Sequence, residues 1–189
     1  IKYMDEINDS HHVIEYCMIM MNHQCAKMLR EKEKGIFRSA TKKTIETNNT
    51  HYDHLIPEVK YILENVSGEY CDYMNIKPHE LVGGGLKTYT HITSPIRRIV
   101  DCVNMIELQQ EKFEWSNESK EFLKKWMSNI EKINVKTKAT NKLQNQMELM
   151  NEYEKNNNKV HSGIVFSKTT ISVKGVDMFK YRVYIKLLN

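Results

Sequence analysis

The apolar residues of this chain change their spacing once, at Asn156-Asn157-Asn158, and that change decides the fold class. Upstream they recur at three- and four-residue steps, the period of a helix with one buried face. Downstream, Phe179, Tyr181, Val183, Ile185 and Leu187 alternate with Lys180, Arg182, Tyr184 and Lys186, the period of a strand. Helices gathered in one stretch and strands in another give an α+β fold, not the alternating order of a parallel sheet.

Four helical stretches are expected. In the first, Ser10 to Arg30, Val13, Ile14, Cys17, Met18, Met21, Cys25, Met28 and Leu29 share one face; Asp9 or Ser10 caps its start and Gly35 lies past its end. Pro57 opens a short helix over 58–66, which Ser67-Gly68 stops. The segment from Ser39 to Thr50 is polar and reads as a surface loop. Ser94 as cap and Pro95 as first helical residue start a third helix reaching about Lys112, with Ile96, Ile99, Val100, Val103 and Ile106 as its buried stripe. A last stretch divides into helices near 117–133 and 137–154. In the tail, Ile164/Phe166 and Ile171/Val173 mark two short strands, with Lys174-Gly175 as the turn before the third. Three strands make a poor free-standing unit, so residues 160–189 read as the opening of a barrel and 1–155 as a separate, mainly helical part.

At 189 residues the chain is one domain, or one domain and a fragment. The longest apolar run, Tyr16 to Met21, is far too short to span a bilayer, so no membrane is expected. No apolar leader and no initiator Met stand at the start, which reads as a piece of a longer chain. Cys17, Cys25, Cys71 and Cys102 form no CxxC pair, which fits a reducing compartment, cytoplasmic or nuclear. A net charge of +4 permits a nucleic-acid partner without selecting one.

The chemistry concentrates between Tyr89 and Arg98. Two arginines in the first turn of a helix oppose the macrodipole, at roughly 0.3–1 kcal/mol each. Arg97 and Arg98 make sense there if an anion docks, because free backbone N–H groups, the Thr93 and Ser94 hydroxyls and both guanidinium forks then converge on one phosphate. A structural pair between Arg97 and Asp101, four residues on, accounts for the arginine equally well. Other signals are weaker. His51 and His54 have ligand spacing but no partner to complete a zinc site. Gly83-Gly84-Gly85 lacks the Lys-Ser/Thr of a phosphate loop. Tyr70 and Tyr73 offer faces for bases, although such residues more often serve the core.

Tyr89-Thr90-His91-Ile92-Thr93-Ser94-Pro95-Ile96-Arg97-Arg98, with Asp101 after it, resembles the signature of the RNB exoribonucleases, the family of ribonuclease II, ribonuclease R and the nuclease subunit of the exosome. Ser10-His11-His12-Val13-Ile14-Glu15, leading to Met18 and Asn22, resembles a second family segment, and Gly35-Ile36-Phe37-Arg38 the one that follows it. The trailing strands are similar to the OB-fold barrel that follows the nuclease domain.

The resemblance implies a helical C-terminal half of an RNB nuclease domain followed by a truncated OB-like segment. It implies 3′→5′ hydrolysis of single-stranded RNA to nucleoside monophosphates, Mg²⁺, and a possible larger RNA-decay complex. Arg97 matches the arginine at the scissile phosphate. Glu15 matches one of two glutamates near the terminal ribose, and Tyr89, His91, Thr93, Ser94 and Arg98 are carried as RNA-binding positions. The family's metal ligands are an aspartate cluster; no Asp-Asp pair occurs here, so no metal ligand is assigned in this chain. Tyr16 replaces the second glutamate, Ile99 the usual aromatic after the arginines, and Met105-Ile106 a usual His-Arg pair. Those departures leave open an RNA-binding or regulatory module that has lost its catalytic half, or a helical scaffold with no RNA role.

Overall fold

A computed structural model describes residues 3–4, 6–41, 68–80, 82, 85–155, 160, 162–173 and 176–185. The expected helix at 58–66, His51 and His54, most of the polar loop after Ser39, Gly83-Gly84 and the Lys174-Gly175 turn lie outside the described residues. The fold is α+β. Helix α1 is Ser10–Glu31, strand β1 Ile36–Ser39 and strand β2 Glu69–Asp72. Helices α2 (Ile99–Gln109), α3 (Asn117–Met127) and α4 (Ile130–Lys155) follow, then strands β3 (Gly163–Val173) and β4 (Val176–Ile185). Two compact units form: Ile1–Ile45 with Glu64–Thr140, and Glu46–Leu63 with Asn141–Asn189.

In the first unit β1 is the middle of a narrow sheet. It pairs antiparallel with β2, placing Arg38 opposite Tyr70 and Phe37 opposite Cys71. On its other edge Phe37 pairs with Thr90, and the Arg38 N–H donates to the Tyr89 carbonyl at 2.8 Å. Alternation then sends Phe37 to one face, against Ala26 and Leu29 of α1. Ile36 and Tyr70 face the other way, onto Val100, Val103, Leu123 and Ile133 from α2, α3 and α4.

Asn104 joins these layers. Its amide is fully buried; Oδ1 accepts from the Ile36 N–H at 2.8 Å, and Nδ2 donates to Ile36 O, Thr90 Oγ1 and His91 O. Asn134 makes the matching clamp on β2, accepting from the Tyr70 N–H and donating to the Tyr70 carbonyl. Buried backbone groups demand partners, and these two amides supply them where no further strand does.

Helix α1 starts on Asp9, whose carboxylate accepts from the His12 N–H at 2.9 Å. It ends in a Schellman turn: Glu33 N–H donates to Arg30 O and Lys34 N–H to Leu29 O. Glu33, not a glycine, takes the left-handed position, at φ 55°. Gly35 follows at φ 89°, where a Cβ would stand 3.0 Å from both Asn104 Oδ1 and Leu29.

The buried face of α1 differs from the expected one. Ile19, Asn22, His23, Cys25, Ala26 and Leu29 are buried, whereas Val13, Ile14, Met18, Met21 and Met28 are exposed. Asn22 and His23 go inside because each finds a hydrogen-bond partner there, to Tyr89 and Tyr3 respectively. Hydrophobic spacing counts such residues as outward-facing and rotates the stripe.

Two other boundaries are corrected. The break near 137 falls at Ser128-Asn129, so α4 is one long helix. The two short tail strands are a single strand, β3, which pairs with β4 from Gly163↔Ile185 to Val173↔Val176 and carries a bulge at Val165/Ser167. On that hairpin the Lys168 ammonium lies 3.8 Å from the Phe179 ring centroid.

Candidate functional site

Helix α2 begins at Ile99, not at Pro95, and this changes the setting of both arginines. Ser94 to Arg98 form a separate turn in which the Ser94 carbonyl accepts from the Arg97 and Arg98 N–H groups, at 3.3 and 3.2 Å. Arg98 is extended (φ −129°, ψ 118°) and sits at the cap position without a side-chain cap. The capping anion is Asp101, three residues into the helix and fully buried. Its Oδ1 accepts from the Ser94 N–H at 2.7 Å and from the Arg98 guanidinium at 2.8 Å. Arg98 Nε also stands 2.8 Å from Oδ2, an ion contact without the alignment of a hydrogen bond. A carboxylate in the first turn satisfies the dipole, and the arginine satisfies the carboxylate.

The expected Arg97–Asp101 pair is therefore replaced by Arg98–Asp101. The one-residue shift follows from the extended Arg98 backbone, which swings that side chain back over the helix start. Arg97 is exposed and has no partner among the described residues. Ile96, assigned to the buried stripe, is fully exposed on the same turn. The stripe is built instead by Val100 and Val103, with Ile99 and Ile106 packed against it.

The remaining motif residues hold the turn in place. Tyr89 is buried, and its hydroxyl accepts from Asn22 Nδ2 at 3.0 Å. Asn22 Oδ1 in turn accepts from the Ile92 N–H at 3.1 Å, so one side chain of α1 grips the segment at two points. His91 Nδ1 lies 2.8 Å from the Tyr70 hydroxyl. Thr93 and Ser94 are half-buried. Glu15 is exposed on α1, near enough to act electrostatically on the Tyr89 phenol, which burial above all pushes upward. Next to it, Tyr16 packs edge-on against Tyr3, ring centroids 5.4 Å apart.

A ladder of rings lies beside the arginine turn. Centroid distances are 5.7 Å for Tyr70–His91, 5.8 Å for His91–Tyr89 and 4.8 Å for Tyr89–His79, and the Arg38 guanidinium lies 4.8 Å over Tyr70. Burial, helped by the charges of Arg98 and Arg38, pulls His91 down to about 3; burial, helped by Arg38, pulls His79 down to about 4. Both rings are neutral at neutral pH. His79 Nδ1 is buried without a hydrogen-bond partner.

Sequence reasoning missed Asn22 as a clamp, together with Asn104, Asn134 and His79. Asn104 carried a usable signal: a polar residue beside Val100 and Val103 on a buried stripe must be hydrogen-bonded. Tyr70, weighed as a base-stacking residue, is buried in the core.

Among the described residues no group of three or more His, Cys, Asp or Glu side chains converges as metal ligands. Asp101 is committed to Arg98 and Ser94, so the described residues do not fit Mg²⁺. No described helix is long and apolar enough to cross a membrane.

No curated protein matches the chain. The model of the RNB domain matches residues 2–114, which take in α1, β1, β2, the arginine turn and α2. That match spans more than half of the chain, which belongs to the RNB domain family.

Proposed function

We propose that this chain is part of a 3′→5′ exoribonuclease that hydrolyses single-stranded RNA to nucleoside monophosphates. The observation that carries this reading is the division of labour between adjacent arginines. Arg98 is spent on Asp101, while Arg97 stands exposed on a hydrogen-bonded turn, its fork without a partner among the described residues. A guanidinium held this way suits a phosphate: two parallel N–H bonds fix its orientation, and the charge offsets the negative charge that builds as the phosphodiester is attacked. Ser94 lies on the same turn and Thr93 just before it, and Glu15, within electrostatic reach of Tyr89, is placed to meet ribose hydroxyls. Tyr89 and His91 act through position: the Tyr89 hydroxyl takes the Asn22 amide, and His91 Nδ1 is bonded to the Tyr70 hydroxyl. Mg²⁺ belongs to this reading as a cofactor whose ligands come from outside the described residues. An RNA-decay complex in an intracellular compartment is its expected setting, and the β3–β4 hairpin its OB-like extension.

One observation favours a second reading, an RNA-binding or regulatory module without catalysis. Where the resemblance places a second glutamate, Tyr16 is built into the packing around Tyr3.

The test is end-labelled single-stranded RNA incubated with Mg²⁺ or Mn²⁺ and either this chain or the whole protein that contains it. The enzyme reading expects stepwise monophosphate release from the 3′ end by the whole protein and none by the 189-residue chain. Tight binding of RNA by the whole protein with no cleavage selects the second reading.

A further inference from the structure

Arg38 has an unusual setting. Its register on β1 fixes it across from Tyr70, and its guanidinium lies 4.8 Å over that ring. The chain at Gly68 hems it closely: a Cβ there would fall 2.7 Å from Nε and 2.8 Å from Cζ. Arg38 is half-buried, yet no carboxylate or hydrogen-bond acceptor among the described residues meets its guanidinium. The nearby carboxylates are committed, Asp101 to Arg98 and Glu69 to Lys138. Arg38, Arg97 and Arg98 all act electrostatically on His91, and Arg98 also acts on Arg38 as a neighbouring cation.

Holding a cation half-desolvated and close to another cation is costly unless an anion joins it. A cation–π contact with Tyr70 offsets only part of that cost, and it leaves the edge of the guanidinium, where its N–H bonds point, unused. That edge matches the oxygens of a phosphate.

We propose that Arg38 is a second anion seat beside the arginine turn, taking a phosphodiester of the RNA strand other than the one held by Arg97. Tyr70 and Gly68 hold the guanidinium flat, so that its fork is set before the strand arrives. The RNA part of this assignment rests on the proposed function; the anion seat itself does not.

The experiment uses the whole chain, with two ligands measured separately: a labelled single-stranded oligoribonucleotide by fluorescence anisotropy over a salt series, and inorganic phosphate by calorimetry. Arg38→Ala is compared with wild type, and Arg38→Gln, which keeps a planar group over Tyr70, covers the case in which the alanine variant does not fold. The expected result is a loss of RNA affinity of about tenfold, the scale of one charge-assisted contact. The salt slope should fall by about one and phosphate binding should weaken in parallel. RNA and phosphate affinities unchanged in a folded Arg38 variant overturn the seat. Phosphate binding that depends on Arg38, in a chain that binds no RNA, supports the seat and overturns the reading beneath it.

Discussion

Arg98 and Asp101 meet at two points across the first turn of α2, one contact at Oδ1 and one at Oδ2, each 2.8 Å. The carboxylate is fully shielded while about a quarter of the arginine side chain is exposed. Asp101 also takes the Ser94 N–H, so one side chain sets both the helix start and the turn that displays Arg97. Asp101→Asn keeps the shape and removes the charge, leaving a partly buried guanidinium facing a neutral amide. The expected cost is about 2–4 kcal/mol, below a fully buried pair because water screens one partner. Urea unfolding measures it, and a loss under about 1 kcal/mol would show that the carboxylate's charge is dispensable.

The two neutral histidines make stability depend on pH. In the unfolded chain both titrate near 6.5; folded, His79 titrates near 4 and His91 near 3. Below 6.5 the unfolded state binds more protons, so stability is complete above about pH 6.5 and is lost as pH falls towards 4 and then 3. Each ring contributes up to roughly 1.4 kcal/mol per pH unit in that window. Urea unfolding at pH 7 and pH 5 should therefore differ by roughly 4 kcal/mol at most. His79→Gln should remove about half of the slope. A flat profile between pH 7 and 5 would contradict the burial of both rings.

Glu33 offers a stabilising change. A non-glycine residue in the left-handed position costs roughly 1–2 kcal/mol. Glycine removes that strain but loses roughly 0.5–1 kcal/mol through the freedom it gains when unfolded. The net expectation for Glu33→Gly is a gain of about 0.5–1 kcal/mol, a rise in Tm of roughly 1–4 °C. Gly35→Ala should do the opposite, because its Cβ meets Asn104 and Leu29 while its φ stays positive. A thermal scan of the two variants checks both signs.

Much of this arrangement could be read from residue order alone, and the rotated face of α1 and the misplaced start of α2 share one cause. The α+β class followed from periodicity, and the family from a ten-residue segment whose side chains now account for the turn, the ion pair and the grip of α1. What periodicity missed were the buried polar residues. Asn22, His23, Asp101 and Asn104 each lie inside because a partner waits there, and none of those partners is near in sequence except Ser94 and Arg98 for Asp101. The helix start at Ile99 was missed for the same reason. Ser94-Pro95 is a strong local signal, but Asp101, acting from the following turn, draws the Ser94 N–H and the Arg98 side chain onto itself and leaves Arg98 extended.

Arg97 carries the sharpest prediction. The proposed contact is two parallel N–H bonds to a phosphate, a geometry that lysine does not reproduce although it keeps the charge. On the proposed function, Arg97→Lys in the whole protein should lower turnover far more than RNA affinity, because many other contacts would hold the strand, whereas this one would strengthen as charge builds on the reacting phosphate. Loss of one such donor raises the barrier by about 2.7–4 kcal/mol, or roughly a hundred- to a thousandfold in rate. Stability should barely move, since Arg97 is exposed and has no partner among the described residues. Arg98→Lys should show the opposite balance, with stability lost through Asp101 and turnover falling only as the turn loosens. Single-turnover kinetics at saturating enzyme, run beside thermal melts of both variants, separates the two roles. A near-wild-type rate for Arg97→Lys would end the catalytic claim for this residue and leave the turn as a structural device.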